Sequence, residues 1–166
     1  MDSSMCDDKP ETVDLTVQGI RLSGENDQPI LLLEHQATGL VLPIWIGTVE
    51  AAAIALLLSP DEEFTRPLTH DLLGSVLEQV EATGHVEIYD MVDGLFYARL
   101  VLNIGEIEAR PSDAVAVAVR MGWRVLCPSA LLHRVGVAPE QLDQDEVDEF
   151  VAFLDQINAD DFTAEE

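Results

Sequence analysis

Positive charge is what this chain has least of: eight lysines and arginines stand against 32 aspartates and glutamates, a formal net charge of -24. So negative a surface repels a phosphate backbone at long range, which counts against a protein that grips duplex DNA non-specifically. Aromatic residues are scarce as well, nine in 166, so a core has to be built from Val, Leu, Ile and Ala. There are two cysteines, Cys6 and Cys127, far apart and without metal-type spacing, and free thiols in a reducing compartment are expected. No apolar run is long and uninterrupted enough to cross a bilayer. The first eleven residues lack the basic and apolar regions of a signal peptide. A cytoplasmic location with no membrane contact is therefore expected. No Gly-rich phosphate loop or zinc spacing occurs, and Ser112 has no nucleophile-elbow setting.

What is present is enough apolar material for one domain, 48% of the residues. The charge is unevenly spread. Residues 1–40 carry eight acids and two bases, residues 41–135 thirteen acids and six arginines, and residues 136–166 eleven acids and no base. Six of the eight bases thus sit in the middle, where a small positive site remains open. The expected organisation is a disordered acidic leader over 1–11, a folded domain over 12–135, and an acidic C-terminal extension over 136–166. That extension holds one amphipathic helix, with Val147, Phe150, Val151, Leu154 and Ile157 on one face. Gly136 to Gln144 reads as its linker. Docking on its own domain is favoured over docking on a partner.

Along the domain, Val13, Leu15 and Val17 alternate with polar residues, and Pro29 to Leu33 and Leu40 to Ile46 follow after turns. Three short strands in an antiparallel meander are expected. Thr48 reads as the N-cap of a helix from Val49 to Leu58, with Glu50 in its first turn. A second helix runs to about Ala82, with Leu72, Leu73, Val76, Leu77 and Val80 at helical spacing. Val86 to Leu102 reads as a hairpin turning at Asp93-Gly94. A short strand at Ile107 and Ala109 precedes a third helix, Ala114 to Met121, whose small apolar face suits close packing and a subunit interface. Arg124 to Pro128 forms a last strand, and a short helix follows near Ser129 to His133. The fold class is α+β, a mixed and largely antiparallel sheet packed against helices.

Arg66-Pro67 and Arg110-Pro111 both precede an acidic residue and an apolar helix, and proline suits a helix start. Asp71 and Asp113 belong at such starts because a carboxylate favours the positive end of the macrodipole. The arginines do not, unless each pairs with a carboxylate or flanks a bound anion. Two readings stay open: local ion pairs (Arg110 with Asp113, Arg66 with Asp71 or Glu50), or a phosphate site of two arginines and two helix N-termini. His70 beside Asp71 is a candidate general base or metal ligand. Glu50, Asp71 and Asp113 are a candidate set for Mg²⁺ or Mn²⁺, although helix capping alone also predicts three such carboxylates. Tyr89, Phe96 and Tyr97 are candidates for base stacking or for the core.

Four of these stretches also carry a family resemblance. Residues Ile46 to Ile54 resemble the segment IGxxEAxAI of the bacterial bifunctional nuclease domain family. Arg66 to Leu72 matches its segment RPLTHDL in full. Asp93 to Leu100 resembles its hairpin, DGxFYARL, and Ala109 to Ala118 resembles ARPSDAIALA. The motifs occur in order across about residues 12 to 135, with Glu108 standing where the family usually has Asp. The acidic extension looks like that of actinobacterial members. The family's name rests on RNase and DNase activity attributed to plant members. The resemblance implies a nuclease acting on DNA or RNA, and the acidic surface favours single strands over duplexes. It implies Glu50, His70, Asp71 and Asp113 as catalytic residues, Arg66 and Arg110 as phosphate ligands, and Mg²⁺ or Mn²⁺ held by Glu50, Asp71 and Asp113. The alternative is a non-catalytic module that binds a small anionic ligand or a protein partner. A homo-oligomer, first of all a dimer, is expected.

Overall fold

The computed structural model describes residues 10–24, 27–59 and 66–139. The leader before residue 10 and the extension from residue 140 onward, with its expected amphipathic helix, lie outside the described residues.

Three strands form the expected meander. They are β1 (Thr12–Leu22), β2 (Pro29–His35) and β3 (Leu40–Trp45), each antiparallel to the next. β2 and β3 are almost continuously apolar and buried, because Leu31, Leu33 and Leu42 face the core and solvent reaches little of either strand. Helix α1 (Thr48–Leu58) follows, then α2 (Thr69–Gln79). Thr48 was expected to cap α1 but is its first helical residue, and Gly47 is the cap. The backbone turns one residue earlier than the side-chain preference of threonine suggested.

The hairpin of β4 (Gly84–Val92) and β5 (Leu95–Leu102) turns at Asp93-Gly94, both with positive φ (52° and 80°), the geometry that a two-residue hairpin turn requires. Strand β6 (Gly105–Ala109) pairs with β5. Helix α3 (Pro111–Met121) starts with Pro111 at its first position and stops at Gly122, whose φ of 66° is the left-handed cap. Strand β7 (Val125–Pro128) and helix α4 (Ser129–Val135) complete the domain.

The seven strands form one sheet in the order β3-β2-β1-β7-β4-β5-β6. Every pairing is antiparallel except β4 with β7. The fold is therefore α+β with a mixed, mainly antiparallel sheet. After α4, Val137 exchanges backbone hydrogen bonds with Val41 on the outer edge of β3. The start of the expected linker is thus part of the packed domain.

Helix α3 lies at the centre. It touches α1, α2, β4 and β5, and Ala114 to Ala118 are all buried inside the protomer. The small-residue face expected at a subunit interface is used instead for packing within the chain. Alanine and valine let α1 and α2 approach α3 closely on one side while the sheet packs on the other. Cys127 is fully buried under α4, and burial pushes its thiol up to about 11, so it is an inert free thiol. Among the described residues no helix is long and apolar enough to cross a membrane.

Candidate active site

Glu50, Asp71 and Asp113 are each the third residue of a helix: α1, α2 and α3 respectively. That position is favoured for a carboxylate, since the first-turn N–H groups lack intrahelical partners. What the sequence did not reveal is that two of these starts are tied together. Arg110, the cap of α3, donates from Nε to Asp113 at 2.7 Å and from Nη1 to Glu50 at 2.9 Å. Its bond to Glu50 spans 60 positions of sequence. His70, second in α2, points its Nε2 at the Asp113 carboxylate from 3.8 Å. Arg110, Glu50, Asp113 and His70 thus form one constellation at the converging N-termini of three helices.

Within it the imidazole is the least exposed group, with 17% of its side chain open, and Arg110 the most exposed, at 66%. The Arg110 guanidinium is held further above its usual value, first by its hydrogen bonds to Asp113 and then by the Asp113 charge and by Glu50. The expected Arg110–Asp113 pair is present. The expected partners of Arg66 are not: Glu50 goes to Arg110, and Asp71 goes to Arg120.

Arg120 is the residue that sequence reasoning missed. It sits in the last turn of α3, where a cation near a helix C-terminus looks unremarkable. Its Nε donates to Asp71 at 3.1 Å and its Nη1 reaches Glu78 at 3.5 Å. Asp71 also accepts the Leu68 backbone N–H at 3.0 Å, closing the first turn of α2. Pro67 lies before that helix, not at its first position, so the two Arg-Pro pairs start their helices differently.

A cleft of about 430 Å³ opens beside the constellation. Arg66, His70, Asp71, Ser75 and Arg120 provide its polar lining, and Ala53, Leu56, Leu57, Pro67 and Leu68 its apolar lining. Arg66 is exposed and has no ion-pair partner among the described residues. Of eight lysines and arginines, three are gathered here, against the four carboxylates Glu50, Asp71, Glu78 and Asp113.

The donor set does not fit a resident metal. Among the described residues no three His, Cys, Asp or Glu side chains are grouped so as to hold an ion. Glu50 and Asp113 are spanned by Arg110, and Asp71 is turned to Arg120, so the expected trio is divided between two arginines.

The aromatic candidates are elsewhere. Tyr89 and Tyr97 face away from the helices on the hairpin, 6.2 Å apart between ring centroids, with the Arg99 guanidinium 5.1 Å over Tyr89. Tyr89 donates to Glu108, and this hydrogen bond is the first reason its hydroxyl is raised above its usual value. Phe96 packs against the core. The two tyrosines are on the face of the sheet opposite α3, and none of the three rings lines the cleft.

Comparison with known proteins agrees with this geometry in its extent. Residues 30–140 match the model of the bifunctional nuclease domain, a span that contains every residue of the constellation and the cleft. Two proteins of Mycobacterium tuberculosis, MT1877 and Rv1829, from two strains and both described only as uncharacterized, are each 41% identical to the chain over 165 residues. The match covers 91% of this chain and 98% of each relative. Domain model, near full-length relatives and the four ordered motifs lead to one conclusion: the chain belongs to the bifunctional nuclease domain family.

Proposed function

We propose that the protein is a cytoplasmic nuclease that cleaves phosphodiester bonds of single-stranded nucleic acid at the cleft beside His70. The observation that carries this reading is the convergence of Glu50, His70, Arg110 and Asp113 at three helix N-termini. Helix N-termini favour an anion, and arginines add planar, bidentate donors for a phosphate. The surface as a whole repels nucleic acid, but the cleft region is much nearer balance, with three arginines against four carboxylates. A short or flexible strand, whose charge density is lower than that of a duplex, is the substrate that best tolerates the surroundings.

In this reading Arg66 and Arg110 hold the phosphate, and Arg120 keeps Asp71 in place at the floor. His70 moves the proton of the attacking or leaving oxygen, and Asp113 fixes the orientation of its ring. Glu50 holds Arg110 from the other side. A Mg²⁺ or Mn²⁺ ion arriving with the substrate would have to compete with Arg110 for Glu50 and Asp113, so activity in the presence of a chelator is expected.

The test is hydrolysis of end-labelled single-stranded RNA and DNA with Mg²⁺, Mn²⁺ or EDTA, comparing the intact chain with His70→Ala and Asp113→Asn. Cleavage by the intact chain, reduced roughly 10²–10⁴-fold in His70→Ala, is expected if the imidazole transfers the proton. Cleavage unchanged in both variants would remove the site from the reaction. No cleavage under any condition would favour a non-catalytic module that binds a small anionic ligand in the same cleft. The pairing of Glu50, Asp71 and Asp113 with arginines is what such a module would also show.

A further inference from the structure

Helix α2 is amphipathic in the wrong sense for a monomer. Its buried residues are Gly74 and Leu77. Its larger apolar residues face outward: Leu72 is 61% exposed, Val76 and Val80 50% each, with Leu68 and Leu73 beside them. Leu68, Leu72, Val76 and Val80 recur every fourth residue and form one ridge along the helix. The helical positions on that side carry no charge. Both acids of the helix, Asp71 and Glu78, turn the other way to Arg120. In a chain with four acids for every base, a charge-free apolar ridge is the place where a second copy meets no like charge, and exposed patches of this kind mark contact sites.

We infer that this ridge is the interface of a homodimer, with α2 packed antiparallel on α2 of a second copy about a two-fold axis. The ridge is symmetric in spacing, so reversal sets Leu72 against Val76 of the second copy and Leu68 against its Val80. Ridges of this i, i+4 type interdigitate in the commonest helix-packing class, and a two-fold interface must be self-complementary in this way. The charges at the helix ends also match. The N-terminal end of α2 bears Arg66, which lacks an acidic partner among the described residues. The C-terminal end bears exposed Glu81 and has no basic residue in its last turn. Antiparallel packing brings the Arg66 end of each copy beside the acidic end of the other, and sets the two helix dipoles antiparallel. The small residues of α3 take no part, since they are spent inside the protomer.

Sedimentation equilibrium of the full chain at micromolar concentration tests this. A mass of twice the 18.2 kDa chain is expected. Val76→Asp and Leu72→Lys should each be monomeric with unchanged far-ultraviolet circular dichroism, as neither side chain is buried in the protomer. Mixed together, the two variants should recover the doubled mass, because the new aspartate of one faces the new lysine of the other. A monomeric intact chain, a dimer that persists in both variants, or a mixture that stays monomeric would each overturn the proposal. A monomeric intact chain would instead fit coverage of the ridge by the chain's own segment beyond Pro139.

Discussion

Most of the charged residues described in this chain work in pairs, and a few of those pairs are half-buried and bidentate. Glu87 on the outer face of β4 is the clearest. Arg99 donates to it twice, at 2.7 and 2.9 Å, and His85 approaches at 3.1 Å. Burial alone would raise the Glu87 carboxyl, but the hydrogen bonds and charges of Arg99 and His85 outweigh it and leave it below its usual value. A carboxyl lowered by folding stabilises the native state above its unfolded value and loses that contribution as pH falls through the folded one. Glu87→Gln should therefore lower stability at pH 7 by about 1–2 kcal/mol. Thermal melts should show the gap between variant and parent closing below the ordinary carboxylate range. A gap that persists there would mean that packing, not charge, is what Glu87 supplies. Arg124 and Asp14 form a comparable fork, but both are largely open to solvent, so little stability is expected from them.

At the level of the element, α3 decides the most. It carries Arg110 and Asp113 at one end and Arg120 at the other, and its body is walled in on every side. Ala116→Leu should cost about 1–3 kcal/mol by overpacking and should also weaken the Arg110 bridge, because α1 and α3 would be pushed apart. Denaturant unfolding measures the first effect. An unchanged midpoint would show that the surrounding helices yield more easily than close packing implies. The strands and the Asp93-Gly94 hairpin were legible from alternation and turn chemistry, since those signals are local. Helix α2 was legible as a helix but not in its orientation: the spacing of Leu72, Leu73, Val76, Leu77 and Val80 reports a period, not which side faces in. Only Leu77 of the five is buried. The members of the site were legible one by one as helix-start residues. Their meeting was not, because Glu50 and Arg110 are joined by the packing of α1 on α3, and no short-range pattern encodes that. The same holds for Arg120, and for the parallel pairing of β4 with β7.

Over the whole molecule, a net charge of -24 opposes compactness as well as association. Raising ionic strength from about 0.02 to 0.5 M shortens the screening length to a few ångströms, and the melting temperature should rise with it. A fall would mean that ion pairs such as Arg99–Glu87 and Arg110–Glu50 outweigh the general repulsion.

The strap that Val137 lays along β3 has a bearing on crowding in a concentrated cell. It ties one residue of that outer strand, Val41, by two backbone hydrogen bonds, while among the described residues β6, at the other end of the sheet, has no strand beyond it. Edges of that kind are the usual route by which sheets recruit further chains. A chain arriving at β6 displaces no bond, whereas one arriving along the whole of β3 has to displace the Val41–Val137 pair. The freer border is thus the one that carries the repelling glutamates, Glu106 and Glu108, and the less charged border is the one that is strapped.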